Sequence, residues 1–209
     1  CLKSAYLMAD AIFLIDNQRY VKKNSPITNN MAAINARVVE PFYNLLCAGE
    51  ETSQKYIGSK TLDAGDIIQT LAGWTIIGQG RSQIPRRRFS LGQKRDFRVR
   101  MNETSKGAHA MDEALGELSL TCDPKDAGRA LYLVTAPPKE MGMDIIKELG
   151  DSLKAVAPDA LIRSGDYPRQ KGSLDVTVIL SELSAVRKIT NYFTRALDLI
   201  SMIKARQGL

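Results

Sequence analysis

The segment TLDAGD, residues 61–66, places two carboxylates, Asp63 and Asp66, three residues apart and directly before the apolar run IIQTLAGWTIIG. Ionised carboxylates at neutral pH can accept hydrogen bonds from water or from backbone amides. An acid followed three residues later by a second acid is also common at a helix start, where it caps free amides and favours the positive helix end. The spacing alone leaves both roles open.

The remaining reactive side chains form no second catalytic pattern. His109 is the only histidine, and no nucleophile or base is partnered with it in the sequence, so we expect a structural or solvated side chain. Cys1, Cys47 and Cys122 are far apart and have no C-x-x-C spacing, which argues against a disulfide framework and a thiolate metal site. We therefore predict no metal site and expect small, buried cysteines.

The excess of positive charge is local. Eight basic residues and a single acid lie between Arg81 and Arg100, so this stretch accounts for the whole net charge of +6. Phe89 and Phe97 lie among the bases, a composition that suits stacking on single-stranded nucleic acid. The simpler interpretation is an exposed, mobile basic insertion over residues 81–106, because its charges have few acids nearby to pair with.

Hydrophobic periodicity indicates the elements that would position the two carboxylates. The run DAIFLID, residues 10–16, is typical of a buried strand. Residues 30–47 have helical spacing, but Pro41 predicts a kink or a break near Val39. Residues 65–73 then indicate a short helix opened by an acidic cap, and WTIIGQG indicates a buried strand that ends in glycines.

The second half of the chain alternates between helical and strand-like patterns. Helices are expected over residues 104–120 and 141–158, and strands over 129–137 and twice within 160–180. A long amphipathic helix over 184–207 would carry one apolar face: Val186, Ile189, Phe193, Leu197, Ile200 and Ile203. These elements predict an α+β sandwich of about a hundred residues. No apolar run is long enough for a spanning helix, and we expect a cytoplasmic protein.

The order of these pieces resembles the second half of a tubulin/FtsZ-superfamily GTPase. FLIDNQ, residues 13–18, is similar to the family's strand whose terminal Asn recognises guanine, which implies Asn17 as a base contact. NNMAAINARVVEPF is similar to the long core helix that joins the family's two domains. It places Asn35 at the base edge and Met31 where an aromatic ring usually stacks on guanine. An Asn amide can read guanine because it offers a donor and an acceptor together.

TLDAGD and the run after it resemble the family's synergy loop, N-x-D-x-x-D in FtsZ-like proteins, followed by its helix and a strand that ends in G-x-G. Thr61 replaces the first Asn of that loop. The basic stretch and the long last helix have no close counterpart in ordinary bacterial FtsZ, which favours a divergent prokaryotic tubulin-like branch. The family's glycine-rich phosphate loop, G-G-G-T-G followed by Ser or Thr and Gly, is absent from these residues.

The resemblance implies an α/β and α+β organisation. Residues 1–48 would be the end of a GTPase domain, a strand plus the core helix. Residues 49–209 would be the C-terminal activation domain, an α+β sandwich with a mixed β-sheet covered by helices. The chain starts at Cys1 and quickly enters a strand-like run, so we expect a piece of a longer protein.

The resemblance also implies a head-to-tail homo-polymer in which Asp63 and Asp66 complete the GTP hydrolysis site of the adjacent subunit. Their task there would be to orient the attacking water and an outer-sphere Mg²⁺ ion. GTP would be bound mainly by the upstream part, so the chain alone is predicted to be inactive. Two alternatives stay open: a basic α+β module that binds nucleic acid or an anionic membrane surface, and a small-molecule-sensing domain without enzymatic activity.

Overall fold

The computed structural model describes residues 2–21, 27–50, 60–84, 97–170 and 172–207. The described helices are α1 (Leu2–Met8), α2 (Asn17–Tyr20), α3 (Ile27–Glu50), α4 (Ala64–Thr70), α5 (Phe97–Gly116), α6 (Met143–Val156) and α7 (Arg187–Gln207). The described strands are β1 (Ala11–Phe13), β2 (Gly73–Gln83), β3 (Ala127–Ala136), β4 (Leu161–Pro168) and β5 (Ser173–Leu183). None of the helices within these ranges is long and apolar enough to cross a membrane.

The strands form a mixed sheet in the order β1-β2-β5-β3-β4. β1 pairs with β2 and β3 pairs with β4 in parallel, whereas the central strand β5 is antiparallel to β2 and β3. A mixed sheet covered by helices confirms the fold class predicted from the sequence.

Alternate residues of the central strands supply two cores, because successive side chains of a strand point to opposite faces. Val176, Val178 and Leu180 of β5 belong to the core with α5 and α6, whereas Ile179 belongs to the core with α3 and α4. Both faces of the sheet are therefore covered, which explains why β5 is buried at every position except Glu182.

The glycines at the end of WTIIGQG allow α5 to pack directly on β2. A Cβ at Gly78 would lie 2.1 Å from the carbonyl oxygen of Ala114, and one at Gly80 would lie 1.9 Å from that of Ala110. These contacts are with helix backbone, which cannot move aside as a flexible side chain can. The close packing of α5 therefore requires glycine at both positions.

We expect Gly80→Ala to destabilise the fold by about 1–3 kcal/mol or more, because α5 must move away from β2. Thermal unfolding followed by circular dichroism measures the change. Gly116→Ala is the matched control, since a Cβ there meets nothing within 4 Å. Equal melting temperatures for the two variants would contradict this account of the packing.

Of the kink or break expected near Val39, the break does not occur, because α3 runs without interruption from Ile27 to Glu50 with Pro41 inside it. A proline within a helix removes one backbone hydrogen bond and costs about 3 kcal/mol. Burial on the same helix offsets this cost: Ile34, Leu45 and Ala48 are all buried. The ring of Phe42 also meets that of Phe13 edge-on, with centroids 5.1 Å apart.

The basic stretch begins within the sheet. Arg81 is a residue of β2, and its Nε donates to Asp175 Oδ1 at 2.9 Å. The hydrogen bond to Asp175 raises the pKa of the Arg81 guanidinium. Arg98 and Arg100 belong to α5, which begins at Phe97. The rest of the expected insertion, residues 85–96, lies outside the described residues, and so does Cys1.

Two further expectations concern single side chains. His109 is exposed, which agrees with a solvated role. Cys47 and Cys122 are only half-buried, so the expectation of buried cysteines is not fully met. Partial burial, together with Asp126 and Asp123 nearby, still raises the pKa of the Cys122 thiol to about 11. This thiol is therefore protonated at neutral pH and is a poor nucleophile.

Candidate functional site

The chain before α4 is fixed to the end of β4 by Lys60. The Lys60 amide donates to Asp166 Oδ1, and the Asp166 amide donates to the Lys60 carbonyl oxygen, both at 2.9 Å. The Lys60 ammonium also donates to Ser164 Oγ at 2.6 Å. Backbone and side-chain bonds together hold this segment, which explains how a loop without regular structure keeps one position.

Leu62 anchors the loop beside the two carboxylates. Its side chain is only 1% exposed, and it packs over the backbone of β4 at Gly165. A Cβ at Gly165 would lie 2.5 Å from the Cβ of Leu62, so this contact requires glycine. Thr61 and Asp63 on either side of Leu62 are exposed. Burial of Leu62 therefore presents its two neighbours to the outside of the domain.

Asp63 is the N-cap of α4. Its Oδ1 accepts a hydrogen bond from the Asp66 amide at 2.7 Å, and its carbonyl oxygen accepts one from Ile67 at 3.3 Å. This geometry confirms the capping interpretation of the sequence. Only one carboxylate oxygen takes part in the cap, and Oδ2 has no hydrogen-bond partner among the described residues. Asp63 can thus cap α4 and present a charged oxygen at the same time.

Asp66 has a different environment from Asp63. Its Oδ1 lies 3.4 Å from Nε of Arg163 on β4, and its side chain is 40% exposed. Arg163 is largely buried and also donates to Gln69 Oε1 at 2.6 Å. The two carboxylates are therefore not equivalent: Asp63 is the outward one, and Asp66 is paired with a cation of its own domain.

The sheet also fixes the carboxyl end of α4. Arg129 of β3 donates to the Gln69 carbonyl oxygen at 2.7 Å, and the Ser181 hydroxyl of β5 donates to the Thr70 carbonyl oxygen. The Glu182 amide donates to the Ala72 carbonyl oxygen at 2.7 Å. With Arg163, three strands hold this short helix, so the position of Asp63 is set by the sheet rather than by the helix alone.

Sequence reasoning found the two carboxylates but missed Arg163, Gly165 and Lys60, which hold them in place. These residues come from β4 and from the loop start, and their pairing depends on contacts about a hundred positions apart in the chain. The available signals were two charged residues, Arg163 and Asp166, inside a strand whose last five residues are buried. A buried arginine requires an acceptor, but the sequence does not say which one.

The residues expected to contact guanine belong to α2 and α3 and not to this loop. Asn17 is the first residue of α2 and is exposed. Met31 and Asn35 are both exposed and lie one turn apart on the same side of α3. No hydrogen bond within the described part of the chain joins Asn17 to either of them, so their contact with a base stays a prediction.

Asp16, which sequence reasoning passed over, holds the chain at Asn17. It caps α2 by accepting from the Gln18 amide at 3.2 Å, and it accepts a hydrogen bond from the Lys188 ammonium at the start of α7. Its own amide donates to the Ser119 carbonyl oxygen at 2.8 Å. These bonds connect the segment between β1 and α2 to Ser119, which follows α5, and to α7.

Comparison with known protein families gives a match to the model described as "Tubulin-like CetZ, C-terminal domain" over residues 24–198. Tubulin-like protein CetZ5 of Haloferax volcanii is 23% identical over 213 residues, covering 94% of this chain and 53% of the relative. The chain therefore spans about half the length of the curated relatives it matches.

Two solved structures from Haloferax volcanii have a similar fold. CetZ2, described as a GTPgS-bound protofilament, superposes with a TM-score of 0.75 at 22% identity, covering 97% of this chain and 55% of that one. CetZ1, described as a GDP-bound monomer, superposes with a TM-score of 0.76 at 20% identity, covering 95% and 53%. At these identities the similarity shows the fold.

Proposed function

Because the chain belongs to the tubulin-like CetZ family, of which it carries the C-terminal domain, we propose that it is the carboxyl half of a filament-forming GTPase. The start of α4 and the loop before it, which carry Asp63 and Asp66, would complete the GTP hydrolysis site of the adjacent subunit. The observation that carries this proposal is the outward carboxylate of Asp63, held by the burial of Leu62 and by a helix that three strands fix.

Head-to-tail stacking joins two different surfaces of the same protein, so the contact repeats and generates an open filament. The CetZ2 relative is described as a protofilament, which supports such a contact here. Hydrolysis of a phosphoanhydride needs mainly positioning and electrostatics, and a fixed carboxylate can orient the attacking water. Asp63 has the required exposure. Asp66, paired with Arg163, stabilises the loop and adds negative charge beside it.

The nucleotide itself would be held mainly by the half that lies outside these residues. The exposed amides of Asn17 and Asn35 have the donor and acceptor groups that a guanine edge requires, and Met31 offers an apolar surface beside Asn35. No group of three His, Cys, Asp or Glu side chains able to hold a metal occurs in the described ranges. A Mg²⁺ ion would therefore come to this face with the nucleotide phosphates, and the carboxylates would reach it through water.

In the alternative function, a basic module for nucleic acid or an anionic membrane surface, Arg81 would be one of the residues that contact the partner. Arg81 is already bonded to Asp175 at 2.9 Å and to Glu40 at 3.0 Å. Its charge is thus compensated within the domain. No described contact favours this alternative, and its central bases lie in residues 85–96, outside the described part of the chain.

The 209-residue chain is expected neither to bind GTP tightly nor to hydrolyse it, because it lacks the phosphate loop. It still has the α4 face, the surface formed by the exposed side of α4 and by Asp63. Added in substoichiometric amounts to the full-length protein with GTP, it should occupy one filament end and slow assembly. Light scattering and electron microscopy measure this effect.

The matched control for this experiment is Ile68→Asp. Ile68 lies on the outward side of α4 and is 72% exposed, so its replacement changes the contact face without opening the core. The variant should slow assembly much less than the unchanged chain. If neither folded chain slows assembly, the α4 face is not a filament contact and the proposed function is wrong in this respect.

A further inference from the structure

Glu182, near the end of β5, has a strained backbone. Its φ is 53°, and no other non-glycine residue in the described part of the chain has a positive φ. This left-handed conformation is unfavourable for a residue with a Cβ, whereas glycine adopts it without a steric penalty. Strained residues of this kind concentrate where a functional site must be held in place. A glutamate at this position therefore requires an explanation.

The backbone of Glu182 lies where β5 leaves β2. The ladder between these strands ends at the pair Ile76–Leu180. The Glu182 amide donates instead to the Ala72 carbonyl oxygen at 2.7 Å, in the turn between α4 and β2. Gly73, the next residue, is also left-handed, with a φ of 51°. The two left-handed residues thus lie together at the corner where the chain passes from α4 into the sheet.

The side chain of Glu182 passes over a glycine of β3 and reaches Arg129. A Cβ at Gly128 would lie 3.0 Å from Glu182 Oε2, so a larger residue there would push the carboxylate aside. Oε2 accepts a hydrogen bond from Arg129 Nε at 2.8 Å. The side chains of Glu182 and Arg129 are 53% and 34% exposed, and an ion pair with this exposure contributes little stability. The stability of the ion pair therefore does not account for the strain.

Arg129 connects Glu182 to α4. Its Nη1 donates to the Gln69 carbonyl oxygen at 2.7 Å. The side-chain oxygen of Gln69 accepts from Arg163 Nη2 at 2.6 Å, and Arg163 is paired with Asp66. A continuous series of polar contacts therefore leads from the strained residue of β5 to the first turn of α4.

The orientation of α4 depends on both of its ends, because the helix has only seven residues. Its start is held by the burial of Leu62, and its end is held by the bonds to Gln69, Thr70 and Ala72. A long side chain such as that of Arg129 loses much rotamer freedom when it is fixed in one geometry. The bond to Gln69 is therefore firm only while another group holds the guanidinium.

We propose that Glu182 is a positioning residue for the hydrolysis site: through Arg129 it fixes the end of α4 and thereby the direction in which Asp63 points. Glycine suits the backbone at this position better but has no side chain to hold Arg129, which explains a glutamate in a strained conformation. This inference rests on the proposed function, in which Asp63 orients the attacking water. A misplacement of about 1 Å can reduce the rate of a reaction about 100-fold, so a small tilt of α4 is sufficient.

Glu182→Gly in the full-length protein separates positioning from stability. Glycine relieves the strain and removes the carboxylate, so the melting temperature should change by no more than about 3 °C. Hydrolysis by the filaments at saturating GTP should nevertheless fall about 10-fold, with GTP binding unchanged. Phosphate release, nucleotide binding and thermal unfolding measure the three quantities. A residue that served stability alone would change the melting temperature and not the rate.

Hydrogen–deuterium exchange measures the effect on α4 directly. In the unassembled full-length protein, peptides from residues 61–72 should exchange about 10-fold faster in Glu182→Gly, because the end of the helix is released. Glu182→Gln is the matched control: its side-chain oxygen can still accept from Arg129, so it should retain slow exchange and most of the hydrolysis. Arg129→Ala combined with Glu182→Gly should be no worse than Arg129→Ala alone, since both remove the same contact.

Two results would overturn the positioning role. Unchanged exchange of residues 61–72 in Glu182→Gly would mean that Glu182 does not hold α4. A loss in Glu182→Gln as large as that in Glu182→Gly would mean that the contact with Arg129 has no part in the effect.

Asp63→Asn in the same assays separates this inference from the proposed function. If Asp63→Asn reduces hydrolysis and Glu182→Gly does not, the positioning role is refuted and the proposed function stands. If Glu182→Gly speeds exchange in α4 but neither variant reduces hydrolysis, Glu182 positions α4 and the proposed function is refuted.

Discussion

Replacing Asp63 with asparagine in the full-length protein is expected to reduce GTP hydrolysis by about 100-fold or more, the magnitude typical for loss of one preorganised charged or hydrogen-bonding group. Asparagine caps a helix about as well as aspartate, so α4 should keep its start while the outward charge is lost. GTP binding should be unchanged, because in the proposed arrangement the pocket would belong to the other face of the subunit. Filaments should therefore form and persist longer. Phosphate release, nucleotide binding and light scattering measure the three quantities.

Two companion variants separate catalysis from stability. Asp63→Ala loses the cap as well as the charge, so it should also lower the free energy of unfolding by about 0.5–2 kcal/mol. Asp66→Asn should reduce hydrolysis less than Asp63→Asn, because Asp66 is turned towards Arg163 and is the less exposed of the two. Normal hydrolysis by Asp63→Asn, with loss only in Asp63→Ala, would mean that Asp63 serves α4 alone.

The sequence was sufficient to locate the carboxylates and the local structure around them. TLDAGD followed by an apolar run predicted an acidic cap and a short helix, and both are observed at Asp63 and α4. Capping depends on residues within one helical turn, so a single segment contains all the necessary information. The orientation of Asp63 was not predictable in this way, since it depends on Leu62 packing against Gly165 of β4.

The differences between the predicted and the observed fold also arise from contacts between residues that are far apart in the sequence. Runs rich in apolar residues correctly predicted β3, β4 and β5, because a sheet that is covered on both faces buries most side chains of these strands. Pro41 predicted a kink or a break, but the helix is not broken, because tertiary burial of α3 outweighs the lost hydrogen bond. The glycines of β2 were read as a strand end, whereas they admit the backbone of α5, which lies about thirty residues farther along the chain.

The roles of Asn17, Asn35 and Met31 depend entirely on a ligand and on the other half of the protein. Their exposure is compatible with contact to a base, but exposure alone does not distinguish a binding residue from a solvated one. The central claim is that Asp63, on the α4 face, completes a hydrolysis site shared by two subunits. This claim can be tested without knowing which residues contact the nucleotide base.

Copolymers of two inactive variants provide the most direct test. One is the Asp63→Asn protein, which has an intact pocket and an impaired loop. The other is a full-length variant that assembles and binds GTP but has a hydrolysis-dead pocket and an intact loop. If the two mix at random and equally, about a quarter of the heterologous contacts join an intact pocket to an intact loop.

The measurement is phosphate release from filaments shown by labelling to contain both variants. We expect turnover at about a quarter of the rate of the unchanged protein, although each parent alone is inactive, because every active site is completed by a neighbour. Turnover that stays at the level of the separate parents in such mixed filaments would contradict the account, since Asp63 would then act within its own subunit or only at the start of α4.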